Sequence, residues 1–209
     1  MTDTDLSARP RRRDAQQNRQ SILDAARRAL AHDPQASVGV IAQDAGLSRR
    51  ALYGHFEDRD SIIRELVASG AQRFNDIAAQ IETEDARLAL AQLAARLWSD
   101  AAHVQVAAAI ALDDAHIDDT AAALAPLRRR VVEIVRSGQE RDELRTDIAA
   151  PTLARLIEEA ARGAITRVDA GSPDAQALAV KAVMSIAGLS WRESVALLAQ
   201  HPELIGDAS

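Results

Sequence analysis

Aromatic side chains are almost missing from this chain: two Trp, two Phe and one Tyr stand among 209 residues. A core of ordinary density must therefore be assembled from Ala, Leu, Ile and Val. Ala has the highest helix propensity, and runs of β-branched residues are few, so such a core favours helices. No segment alternates polar and apolar residues as a half-buried strand would. The expected class is all-α.

The chain has no cysteine, which removes disulfides and thiolate metal sites. Residues 1–13 are polar and lack the apolar centre of a signal peptide. No stretch approaches the roughly 18 apolar residues of a membrane span. A cytoplasmic protein with no membrane partner is the expectation. The formal net charge of −6 is unevenly spread. Residues 9–55 hold nine Arg against four Asp, a local balance of +5, which leaves −11 for the remainder. A basic head on an acidic body suits a chain with one nucleic-acid face.

Residues 1–13 read as a flexible, Arg-rich arm. Helical spacing of Ile22, Leu23, Ala25, Ala26, Ala29 and Leu30 predicts a helix over 14–31, ended by His32-Asp33-Pro34. Ser37 N-caps a short helix over 38–45, and Gly46 supplies the left-handed residue of the turn after it. Ser48 caps a third helix over 49–55, and Asp58 a fourth that runs to about residue 80. Further helices are expected at 85–101, 104–113, 119–137 (ended by Gly138), 150–168 and 172–199.

The segment 38–56 is the informative one. Ile41, Ala42, Ala45, Leu47, Leu52 and Phe56 can face inward together, which leaves Arg49, Arg50 and Tyr53 outward on the first turns of the third helix. That arrangement fits a helix whose N-terminal end enters the DNA major groove. Arg49 and Arg50 can each grip guanine O6 and N7 with two parallel bonds. Ser48 sits beside backbone N–H groups that attract phosphate. His55 and Arg59 suit phosphate contacts, and Tyr53 suits a phosphate or a thymine methyl. The bland alternative is a solvated basic face on a helical hairpin.

Three runs carry a family resemblance: Ile41-Ala42-Gln43-Asp44-Ala45-Gly46-Leu47-Ser48, Ala51-Leu52-Tyr53-Gly54-His55-Phe56, and Asp58-Arg59-Asp60 with Ile62-Ile63. Over residues 15–67 the chain resembles the DNA-binding domain of the tetracycline-repressor (TetR) family. The resemblance implies an N-terminal three-helix helix-turn-helix domain over 14–60 and a C-terminal helical ligand-binding and dimerisation domain over 61–209. It implies a dimeric repressor of palindromic operator DNA, released by a small-molecule effector. The implied DNA-binding residues are Ser37, Ser48, Arg49, Arg50, Ala51, Tyr53, His55 and Arg59. Ala51, Gly54 and Gly39 depart from the usual pattern, which bears on the operator sequence.

In the body, the helix over 151–168 carries one broad apolar stripe, and the helix over 174–199 is apolar nearly all round, which demands cover on more than one side. The two are expected to pair with their symmetry mates as a four-helix dimer interface; burial of that terminal helix within its own domain is the alternative. The resemblance also implies a ligand pocket, with candidate lining residues Phe74, Leu93, Leu97, Trp98, Ile110, Val131, Ile134, Glu159 and Arg162. Trp98 reads as a core filler or a ligand contact, and Arg162 as an ion pair or a carboxylate partner. The run Asp113, Asp114, His116, Asp118, Asp119 reads as a helix-capping loop rather than a metal site, so no metal is assigned. The Arg11-Arg12-Arg13 run reads as a remnant of expression, a solvated tail or a minor-groove arm. No Gly-x-Gly, no His-Glu-x-x-His and no phosphate loop is present, so neither an enzyme nor a cofactor is expected. A sensor that has lost DNA binding is the competing class.

Overall fold

The computed structural model describes residues 8–101 and 117–206. Among these the regular structure is entirely helical. In chain order the helices are α1 (Ala8–His32), α2 (Val38–Asp44), α3 (Arg49–Tyr53), α4 (Arg59–Ala79) and α5 (Ala86–Ala101). Then come α6 (Ile117–Ala123), α7 (Ala125–Glu140), α8 (Ala150–Arg167), α9 (Ala175–Ala187) and α10 (Trp191–Gln200), with a 3-10 turn at Pro202–Ile205. The expected helix over 104–113 lies outside the described residues.

Two cores are strung on α4. The first joins α1, α2, α3 and the start of α4 through Ile22, Ala26, Leu30, Ile41, Leu52, Phe56, Ile62 and Ile63. All of these are buried. The second lies in the body. Helix α5 runs through its middle and is buried on nearly every side, including Ala86, Ala89, Leu90, Leu93, Leu97 and Ala101. Alanines at so many of its positions let α7, α8 and α9 approach its backbone closely.

Local chemistry sets most boundaries. The Ser37 and Ser48 hydroxyls accept from Val40 N and Ala51 N, at 3.4 and 3.1 Å. Asp58 and Ser61 form a reciprocal capping box at the start of α4. The Ser61 backbone N–H holds the Asp58 carboxyl below its ordinary pKa. Gly46 takes φ +69°, as the turn requires.

Four expected boundaries differ. Helix α1 begins at Ala8 rather than at 14, so the backbone of the expected arm is helical from that point. Pro10 allows this because it sits in the first turn, where no backbone N–H has an intrahelical acceptor. The expected 119–137 helix is two helices, broken where Pro126 enters the first turn of α7. Asn75 on α4 closes the break from outside: its side chain donates to Ala123 O and accepts from Leu127 N, each at 3.0 Å. Gly138 does not end α7 but lies within it. A Cβ there would come 2.6 Å from Ala86 Cβ, so the glycine marks a close helix contact. The expected 172–199 helix is also two. Gly188 (φ +108°) ends α9, and Ser190 with Glu193 forms a capping box that starts α10. Gly188 is required twice, by its φ and because a Cβ would meet Arg145 Cβ at 2.8 Å.

Candidate DNA-reading head and effector cavity

The short helix α3 buries only Leu52, and its neighbour Phe56 lies just past its end. Everything else it carries is turned outward. Arg49, Arg50, Ala51 and Tyr53 are exposed, with Tyr53 at 54%. Ser37 and Ser48 are exposed at the starts of their helices, and their oxygens are engaged as caps. The Arg49 side chain lies across Gly39 of α2: a Cβ on that glycine would fall 2.8 Å from Arg49 Cζ. The glycine is what opens room for the guanidinium.

His55 is half-buried. Arg59 is half-buried as well, and its guanidinium is engaged within the head. Its Nε donates to Ala36 O at 3.1 Å and its Nη2 to Pro34 O at 2.6 Å. Arg59 therefore ties the α1–α2 loop to the start of α4, a role that sequence spacing did not reveal.

Arg19 belongs to none of the motifs. It reaches from α1 to α4 with a two-pronged pair to Glu65, in which Nε donates to Oε1 at 2.8 Å and Nη2 to Oε2. Its Nη1 donates to His55 O at 2.6 Å, and its Cζ stands 4.2 Å over the Phe56 ring. One guanidinium thus sets the end of α3 against both neighbouring helices. Lys could reproduce neither the fork nor the stacking. Arg19→Lys is expected to destabilise the head by roughly 1–2 kcal/mol, discounted for the exposure of the pair. Protection of the α3 amides from hydrogen exchange should fall while that of α5 stays unchanged. Equal protection of α3 in both proteins would contradict this role.

Below the head, α1, α4, α5, α6, α7, α8 and α9 surround a cavity of about 210 Å³. Of the expected lining residues, Phe74, Leu93, Leu97, Val131 and Arg162 reach it. Trp98 does not; it is buried against Ala164, Ala175 and Ala179, between α5, α8 and α9. Ile134 is buried in the main core. Glu159 points outward and pairs with Arg162 at 2.9 Å, while Glu158, one position earlier on α8, takes the place expected of it. Ile110 lies outside the described residues. So do Asp113, Asp114 and His116; Asp118 and Asp119 occupy the first turn of α6.

Glu158 meets Arg128 across the α7–α8 contact, Oε2 to Nε at 3.0 Å. Burial pushes its pKa above the ordinary glutamate value despite that arginine. At the head end the wall is made by Arg27 and Leu30 of α1 and Ile63 of α4. Arg27 also reaches Ser69 Oγ at 3.3 Å, so the cavity borders the joint between the two helices. No helix among the described residues is long and apolar enough to cross a membrane.

Comparison with known proteins agrees with this geometry. Residues 22–66 match the model of bacterial regulatory proteins of the tetR family. The chain is 39% identical over 61 residues to the HTH-type transcriptional regulator AcrR of Shigella flexneri, a match spanning 28% of either chain. The fold is similar to that of FadR from Bacillus subtilis, solved with stearoyl-CoA: TM-score 0.70, 18% identity, 81% of this chain and 97% of that one. It is similar also to PfmR from Thermus thermophilus, with TM-score 0.69 and 20% identity over 81% of this chain and 98% of the other. The head is thus matched in sequence to the tetR family over residues 22–66, and the helical body is matched in fold.

Proposed function

We propose that the chain is a cytoplasmic transcriptional repressor that binds a palindromic operator as a homodimer and is released by a small-molecule effector. It acts by binding, not by catalysis. The observation that carries this reading is the one-sided head. A buried apolar face holds α2 and α3 rigid, and Arg49, Arg50 and Tyr53 stand outward where base edges would lie. Ser37, Ser48, Ala51, His55 and Arg59 would frame that contact. Arg59, already bonded to Pro34 and Ala36, would hold the α2 start against the phosphate backbone.

Two heads would be joined through α8 and α9, within the 151–168 and 174–199 stretches. Leu156 on α8 and Leu178 on α9 are exposed at 41% and 48%. Gly163 has nothing within 4 Å of where its Cβ would stand, so a partner helix could come close there. Such a pair would set its recognition helices about 34–36 Å apart, one turn of B-DNA. The effector would enter the cavity, which touches α1 and α4 together. It releases DNA only if it binds the DNA-incompetent arrangement more tightly. That FadR of Bacillus subtilis was solved with stearoyl-CoA supports a small-molecule occupant in this fold.

The test uses the DNA preceding the chain's own gene. The protein is expected to shift that fragment, with log affinity falling linearly in log salt, and to run as a dimer in sedimentation. Leu178→Glu should yield monomers whose operator affinity is reduced by at least about a hundredfold, since each head alone contacts half a site. A wild-type monomer, or a shift insensitive to salt, would overturn the reading.

A further inference from the structure

The charges on the cavity wall are arranged in a lopsided way. Among the described residues four arginines, 27, 73, 128 and 162, line it with a single carboxylate, Glu158. The anions that balance three of them stand behind, off the wall: Asp24 for Arg27, Asp100 for Arg73 and Glu159 for Arg162. The lining is predominantly apolar, and these arginines border it with side chains 24–38% exposed.

The sharpest feature is on the α7–α8 side. Arg128 and Arg162 both line the cavity with Glu158, and Arg162 follows Glu158 by one turn on α8. Arg128 spends Nε on Glu158 and Nη1 on Ala121 O, at 3.0 and 3.2 Å. Arg128 is paired with Glu158 and Arg162 with Glu159; Glu159 is 60% exposed, so the Arg162 pair is screened by water and weakly held. Glu158 has little access to water, with its side chain 19% exposed. Apolar groups of α5, α7 and α8 adjoin the cluster, among them Leu93, Leu97, Val131 and Ile157.

Resting on the effector reading above, we propose that the cavity takes an amphipathic monocarboxylate of medium chain length. Its carboxylate is held by Arg162 and Arg128 beside Glu158, and its hydrocarbon lies along α5 and α7. The guanidinium fork suits a carboxylate, which would replace the water-screened Glu159 as the partner of Arg162. Size sets the chain length. A cavity of about 210 Å³ is below the roughly 300–1,000 Å³ of drug-sized sites, which argues for a short tail.

The experiment is calorimetric titration of the full chain, without DNA, using octanoate, octanol and octylamine. Octanoate is expected to bind about tenfold or more tighter than octanol, and octylamine weaker than both. Arg162→Gln should remove the octanoate advantage and leave octanol binding as it was. Glu158→Gln should tighten octanoate several-fold by removing the resident anion. Octylamine binding tightest, equal affinities for octanoate and octanol, no binding by any probe, or an Arg162→Gln profile like wild type would each overturn the proposal. The wild-type order needs no variant to fold. With no DNA present, it also stands apart from the operator test. If octanoate binds in the expected order but leaves a DNA complex intact, the site assignment holds and the release mechanism falls.

Discussion

Replacing Arg49 and Arg50 together by alanine is expected to erase the preference for operator over scrambled DNA while the helical fold persists. Both side chains are exposed on α3 and neither contributes to the head core. The change in stability should therefore stay within about 0.5 kcal/mol. Each bidentate arginine–guanine pair discriminates by roughly 1–3 kcal/mol, so losing two lowers operator affinity by roughly thirty-fold to more than ten-thousand-fold. Fluorescence anisotropy on both DNAs separates the possibilities. If affinity falls equally on operator and scrambled fragments, the two arginines hold phosphates and the base-reading role belongs elsewhere. If neither falls, α3 is not the recognition helix.

The second large effect concerns Trp98. Its indole is 4% exposed and fills the space between α5, α8 and α9, against Ala164, Ala175 and Ala179. Truncation to alanine leaves a gap that the three alanines, with Ile165 and Val168 packed against them, are too small to close. A loss of about 3–5 kcal/mol is expected. For a domain of this size that lowers Tm by roughly 6–20 °C, measurable by calorimetry. Because Trp98 is not among the residues that line the cavity, affinity for an effector in the surviving folded protein should change little. A variant with unchanged Tm and weakened effector binding would put Trp98 back on the cavity wall.

How far the sequence could be read depended on the range of the chemistry. Ser37, Ser48 and Asp58 were legible as caps because the hydroxyl or carboxylate and the N–H it accepts from are three residues apart. Gly46 was legible because its turn needs a left-handed residue. The same rules were available at Gly188 and at Ser190 with Glu193, yet continuous apolar character on both sides masked the break between α9 and α10. Pro126 was hidden similarly inside a long helical pattern. The placement of Trp98 is of another kind. Its orientation follows from how α8 and α9 cross α5, and no local pattern encodes that. Glu158 and Glu159 differ by one step of about 100° around the helix, and only packing decides which faces inward. Arg19 meets Glu65 across 46 positions of chain, far beyond any motif window.

The crossing of Arg49 over Gly39 carries an evolutionary corollary. Position 39 has no side chain to offer a nucleotide, yet it determines where the neighbouring guanidinium can rest. Since the obstructing atoms belong to a flexible tip, a methyl group introduced there would swing that tip aside at small energetic cost. If Arg49 reads the operator, preference can thus drift between descendants through a position that acts only on the placing of that guanidinium. A comparison of related repressors restricted to contacting residues would overlook it.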